Sequence, residues 1–140
     1  MKEMTIQILR FVLGVFLGLA VISLIAESVE FELITLVNGG ATSDMDVYFG
    51  IRNRLWFLIL KFIYNGFAAF VGGWLAKTLA SRWKVACVIT LAVIQTVSFI
   101  WGMTLSEFAG TTPAWAWILL AIEMPILILL GGRLRARPLL

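Results

Sequence analysis

VACVITLAVIQTVSFIWGMTL, residues 85–105, holds no charged side chain. At about 1.5 Å of rise per residue, a helix of this length crosses a hydrocarbon core of about 30 Å. In a soluble protein such a segment would have to be wrapped on every side, and the rest of the chain is itself too apolar to do the wrapping. Of the 140 residues, 61% are hydrophobic and 14% charged, against roughly a half and a quarter in an ordinary soluble domain. One soluble core of this size cannot hide that much apolar surface, so the surplus faces lipid. The composition argues against a soluble enzyme, a nucleic-acid-binding domain and a disordered tail.

Three further segments have the same character. Phe11 to Ala26 is uninterrupted, and Ile6 to Leu9 extend it across Arg10. Leu55 to Ala76 is broken only by Lys61, and Trp115 to Gly132 only by Glu123. The predicted fold is all-α: an integral membrane four-helix bundle in a single domain, residues 1–140, with spans at about 6–26, 55–76, 85–105 and 115–132 and an outer loop at 27–54. Lys2, Arg10, Lys77, Arg82, Lys84, Arg133, Arg135 and Arg137 all fall on one side of these spans. The positive-inside rule therefore predicts that both termini are cytoplasmic. Glu27, Glu30, Glu32, Asp44 and Asp46 sit in the first outer connection and Glu107 in the second. The formal charge of +3 thus reads as topology and contact with the lipid bilayer, and no nucleic-acid partner is expected. Leu24-Ile25-Ala26 makes a poor small-x-small cleavage site, so the first span is read as uncleaved.

The chain has one cysteine, Cys87, and no histidine. A lone thiol forms neither an intrachain disulfide nor a CxxC pair, and the commonest ligand of zinc, haem and copper is missing. No catalytic, cofactor-binding or metal site is predicted, and the expected class is not an enzyme.

Within the outer loop, Val29, Leu33, Leu36 and Val37 recur at helical spacing, so the first span is expected to continue as a helix or to lie along the surface. Asn38-Gly39-Gly40 should end it, because glycine accepts the left-handed geometry of a helix C-terminus. Ser43 is expected to cap a short turn through Asp44 and Asp46 to Tyr48 and Phe49. Trp56, Trp115 and Trp117 fall at the outer interface and Trp74 and Trp83 at the inner one, the usual level for indole rings. Gly14 and Gly18 form a GxxxG, and Ala68 with Gly72 and Ala69 with Gly73 repeat the spacing. Small side chains let helices approach closely in lipid. Packing within one chain is the favoured reading, with a homo-oligomer or a membrane-protein partner as the other.

Span two ends Gly72-Gly73-Trp74-Leu75-Ala76 and span four ends Gly131-Gly132, while Glu30-Phe31 and Glu107-Phe108 follow spans one and three. A parallel duplication of a two-helix hairpin would leave such a pattern. Together with Glu27 and Glu30 closing span one, Pro113-Ala114-Trp115-Ala116-Trp117-Ile118 opening span four, and Met124-Pro125 within it, the layout resembles a family of small uncharacterised bacterial four-span membrane proteins. Unlike that family's proline-rich outer loop, residues 27–54 hold no proline. The resemblance implies a bacterial plasma-membrane location and supplies no activity.

Ionisable residues inside spans are the strongest functional lead, since each is expensive in hydrocarbon. Lys61 lies about 9 Å and Glu123 about 12 Å inside the outer ends of their helices, by residue rise, and at matching depths the two could pair. Asn65, Gln95, Ser98 and Glu27 are expected to share this polar layer, and Pro125 to kink the helix beside Glu123. Such a layer either holds four helices in register, in a structural or accessory protein, or forms a proton- or cation-responsive site of a small transporter or sensor, with Glu123 titrating against Lys61.

Overall fold

The computed structural model describes residues 1–107 and 109–134. All of its elements are helical: α1 (Lys2–Asn38), α2 (Met45–Arg52), α3 (Leu55–Leu79), α4 (Lys84–Thr104), a single 3-10 turn (Ala109–Thr111) and α5 (Ala114–Gly131). Of these, α1, α3, α4 and α5 are long and apolar enough to cross a membrane. Large side chains such as Phe16, Phe67, Val97 and Ile122 stand exposed along them, as expected where the surrounding solvent is lipid. The build is that of a multi-pass membrane protein.

The expected spans 55–76, 85–105 and 115–132 correspond to α3, α4 and α5 within a few residues. The span at 6–26 is part of a much longer element. With 37 residues, α1 is about 55 Å long and overreaches a hydrocarbon core by about 25 Å. Much of the segment read as outer loop is therefore this helix. It stops where expected, at Gly39, whose φ of 77° is the left-handed cap. The Gly40 N–H then donates to the Thr35 carbonyl at 3.0 Å, which closes the last turn. The cap of α2 is Asp44 and not Ser43: its side chain accepts from the Asp46 N–H at 3.0 Å.

The four long helices form a ring in the order α1, α3, α5, α4, with α3 and α4 also touching across the middle. Every fourth residue of α1, from Gly14 through Gly18, Ile22, Ala26 and Glu30 to Ile34, follows one ridge that winds slowly about the helix. All of these but the partly buried Ala26 are buried. Gly18 and Gly72 face each other across α1 and α3, so that a Cβ on Gly72 would run into the Ile22 side chain and one on Gly18 would lie 3.2 Å from the Gly72 carbonyl oxygen. Across α3 and α5, Gly73 lies on the Ile128 backbone and Gly131 on the Phe70 backbone. Each glycine is three residues beyond the residue its partner touches, so this crossing is locally two-fold symmetric. The duplication pattern goes no further: Glu30 is buried, Glu107 is exposed, and Phe108 lies outside the described residues. The stripes of small residues are thus occupied within the chain.

Arg10, Lys77, Lys84 and Arg133 gather at the end opposite Arg52 and Lys61. The Arg10 guanidinium donates to the Leu79 carbonyl at 3.0 Å, and the Lys77 ammonium to the Leu134 carbonyl at 3.1 Å. Arg135 and Arg137 lie outside the described residues.

Gly73→Ala should push α3 from α5 and cost about 1 to 3 kcal/mol, as overpacking does. Gly50→Ala, where no atom lies within 4 Å of the added methyl, should stabilise α2 by about 0.5 to 1 kcal/mol. Thermal unfolding in detergent reads both, and equal effects of the two changes would refute the assigned α3–α5 crossing.

Candidate functional site

Following the α1 ridge upward leads to the densest polar cluster of the described residues. Glu30 is only 8% exposed. Its carboxylate accepts from the Lys61 ammonium on α3, from the Tyr64 hydroxyl at 2.7 Å and from the Tyr48 hydroxyl on α2 at 3.0 Å. The Arg52 guanidinium stands 3.8 Å away. Both tyrosines of the sequence thus point at one carboxylate. Arg52 also donates to the Thr111 carbonyl at 2.9 Å and to the Thr112 hydroxyl, and Asn53 donates to the same Thr111 carbonyl at 2.6 Å. The Phe49 ring lies beneath the guanidinium, 4.4 Å from its carbon. Three helices and the α4–α5 connection are tied together through Glu30 and Arg52.

The expected pairing of Lys61 with Glu123 is not formed. The two residues differ both in azimuth around α3 and in level along it. Lys61 and Gly72 are eleven residues apart, within about 20° of each other around α3, so both face α1. Glu123 instead lies against Gly66, whose missing Cβ leaves room for the carboxylate. Gly66 is five residues from Lys61, about 140° away around the helix. Lys61, on the face of α3 that meets α1, therefore pairs with Glu30 instead. Among the described residues Glu123 makes no ion pair, and its Oε2 is buried without a hydrogen-bond partner.

Beside the Glu30 cluster is a cavity of about 220 Å³. Lys61, Asn65, Gln95 and Glu27 all line it, as do Arg52 and Thr112. Of the predicted polar layer, Ser98 is not brought in: it is exposed and its hydroxyl donates to the Ile94 carbonyl of its own helix at 2.8 Å. Trp117 closes one side, held by its indole N–H donating to the Ala109 carbonyl at 3.1 Å and by an edge contact with Phe99. The Asn65 amide donates to the Lys61 carbonyl at 2.8 Å. No three His, Cys, Asp or Glu side chains among the described residues come together in a way that could hold a metal ion.

The central role of Glu30 and the parts played by Arg52, Tyr48 and Tyr64 were not anticipated from the sequence. The signals that carry them are the four-residue ridge begun by Gly14 and Gly18, and the face of α3 marked by Ala68 and Gly72. Extending the first to Glu30 and the second to Lys61 brings the two charges together.

No protein-family model matches the chain, and neither a curated protein nor a solved structure shows significant similarity to it. The chemistry of the site is therefore argued from its own geometry.

The Tyr48 phenol is pushed well above its ordinary value, first by burial and then by the negative charge of Glu30. Burial lowers Arg52 from its ordinary value while Glu30 opposes the shift, and a guanidinium stays charged throughout. For Tyr48 the sign follows directly. Its neutral hydroxyl stabilises the fold fully below the ordinary phenol value of about 10, and that contribution is lost as pH rises through the higher folded value. Tyr48→Phe should lower the Tm at neutral pH and flatten its fall above about pH 10; an equal alkaline fall in variant and parent would contradict this. Truncating one member of the buried pair, in Glu30→Gln or Lys61→Met, should cost about 3 to 5 kcal/mol, and the double variant should recover much of it. Additive losses in that unfolding cycle would show that the two groups are not coupled.

Proposed function

We propose that this chain is a structural or accessory protein of the bacterial plasma membrane, not an enzyme, related to the small four-span family that its motifs resemble. Its basic end, with both termini, faces the cytoplasm. The observation that carries this reading is the engagement of Glu30 by Lys61, Tyr48 and Tyr64 with Arg52 alongside. A carboxylate held by that many donors acts as a fastener, because releasing it would strand buried charge on three helices. What it fastens is the outward extension of α1 and the α2 helix. These present Glu27, Glu32, Asp44 and Asp46 to solvent, an acidic surface suited to the basic face of a membrane-protein partner. The absence of histidine and of a second cysteine from the sequence supports a non-catalytic role.

A second reading, a proton-responsive carrier or sensor, is favoured by one feature. Glu123 keeps a carboxylate in a membrane helix with one oxygen buried and unpartnered, a costly arrangement usually retained for a reason. Lys61 is committed to Glu30 and takes no part in it.

Neutralising the outer acids together, by Glu27→Gln, Glu32→Gln, Asp44→Asn and Asp46→Asn, should leave the Tm within a few degrees. Asparagine caps helices as aspartate does. The same change should abolish cross-linking to a partner in native membranes. Proton flux in reconstituted vesicles that Glu123→Gln removes, with cross-linking unchanged by the acid substitutions, would replace the accessory reading with the carrier one.

A further inference from the structure

At the end of the bundle opposite the Glu30 cluster, Lys77, Lys84 and Arg133 surround a cavity of about 470 Å³. Its floor is apolar, formed by Val88, Ile89 and Leu129 among others. Ile89 and Leu129 also begin a second hollow, of about 310 Å³, which continues between α4 and α5 past Val93 to Val97 and Pro125. With walls in common, the basic mouth and the apolar lane form one groove, open on the lipid-facing side of the bundle.

We propose that this groove binds one anionic diacyl phospholipid, with its phosphate among the three cations and one acyl chain along the lane. Charge complementarity is the first argument. Among the described residues none of the three cations makes an ion pair. Lys84 and Arg133 are exposed, and Lys77 gives one donor to the Leu134 carbonyl, which leaves two of its three N–H groups for a phosphate. Basic pockets between membrane helices commonly hold anionic headgroups.

The lane supplies the second argument. From Val85 at the mouth to Val97 at the far end is about 18 Å of helix, close to the half-thickness of about 15 Å that one acyl chain occupies in a leaflet. The one polar side chain in its wall, Thr96, donates its hydroxyl to the Ala92 carbonyl at 2.8 Å, so the lane offers the chain no unsatisfied group. A soluble anion would use the cations and leave the lane empty. A partner helix would fill the lane and leave the cations unmatched. A zwitterionic lipid would bring a further positive charge among three. An anionic diacyl lipid satisfies both halves of the groove.

The test is native mass spectrometry of the full chain in detergent, titrated with dioleoylphosphatidylglycerol or dioleoylphosphatidylcholine, with inorganic phosphate as competitor. The phosphatidylglycerol should bind as a single molecule about ten-fold more tightly than the phosphatidylcholine, and Lys84→Gln and Arg133→Gln should each weaken it about five-fold. Val93 is exposed, so Val93→Trp fills the lane without disturbing the bundle and should weaken binding as well. Arg82→Gln, at the same end but outside the groove, should leave it unchanged. Equal affinity for the two lipids, or a loss in Arg82→Gln matching that in Lys84→Gln, would overturn the site in favour of diffuse attraction. Displacement by phosphate, or indifference to Val93→Trp, would reduce it to an anion site with no role for the chain.

Discussion

A carboxylate with little access to solvent is costly unless donors surround it, and the outer third of this molecule is organised around meeting that demand for Glu30. The α1 helix carries the charge beyond the part of the bundle where helices pack through glycine. Lys61 and Tyr64 come to it from α3, and Tyr48 and Arg52 from α2. An eight-residue helix such as α2 is too short to persist in isolation. It is fixed by this cluster and by the small apolar patch of Ile34, Ile51, Phe57 and Tyr64 beneath it. Arg52 passes the constraint onward to Thr111 and Thr112, and so to the start of α5. The ion pair, the tyrosines and the arginine act as one unit, because loss of any member leaves another charged or polar group buried without its partner.

The helices themselves were legible because lipid imposes a simple rule: about twenty apolar residues without charge make a span. The run from Val85 to Leu105 satisfied it outright, and α4 occupies Lys84–Thr104. The stop at Gly39 was equally readable, since a glycine pair after a polar residue is how such helices end. The polar contacts were harder, because depth along a helix follows from counting while azimuth depends on which neighbour each face meets. Counted from the outer ends of their spans, Lys61 and Glu123 come out at similar depth, which makes them look like partners. The small-residue stripes already held the missing coordinate: Ala68 and Gly72 mark the face of α3 that meets α1, and Lys61 lies on that face. Arg52 and Tyr48 were beyond reach of such counting, since nothing local in the sequence says that α2 folds back onto the extension of α1.

Glycine governs where the charges go as well as how closely the helices approach. Gly72 admits Ile22 and so draws the α1 ridge onto α3, which sets Glu30 opposite Lys61 two and more turns higher. Gly66, on another face, admits Glu123 to the α3–α5 contact. Glu30 and Glu123 thereby lie against different faces of the same helix, one given cations and phenols, the other given a glycine and an unpartnered oxygen. The first carboxylate ties three helices together, and the second keeps one oxygen buried without a hydrogen-bond partner.

The two ends of the bundle differ in the same sense. At the acidic end the cations Arg52 and Lys61 are consumed inside the protein, Lys61 by Glu30 and Arg52 by Glu30 and the oxygens of Thr111 and Thr112. At the basic end Arg10 turns toward the last carbonyl of α3 and Lys77 toward the Leu134 carbonyl beyond α5, and the charges of Lys77, Lys84 and Arg133 meet no carboxylate among the described residues. A charge neutralised internally makes the protein rigid, whereas one left uncompensated at a bilayer surface makes it responsive to the headgroups around it. The acidic end is therefore held in a fixed shape by its own ion pairs, whereas the basic end, as the proposed lipid site requires, keeps cations free for a counter-charge from the membrane.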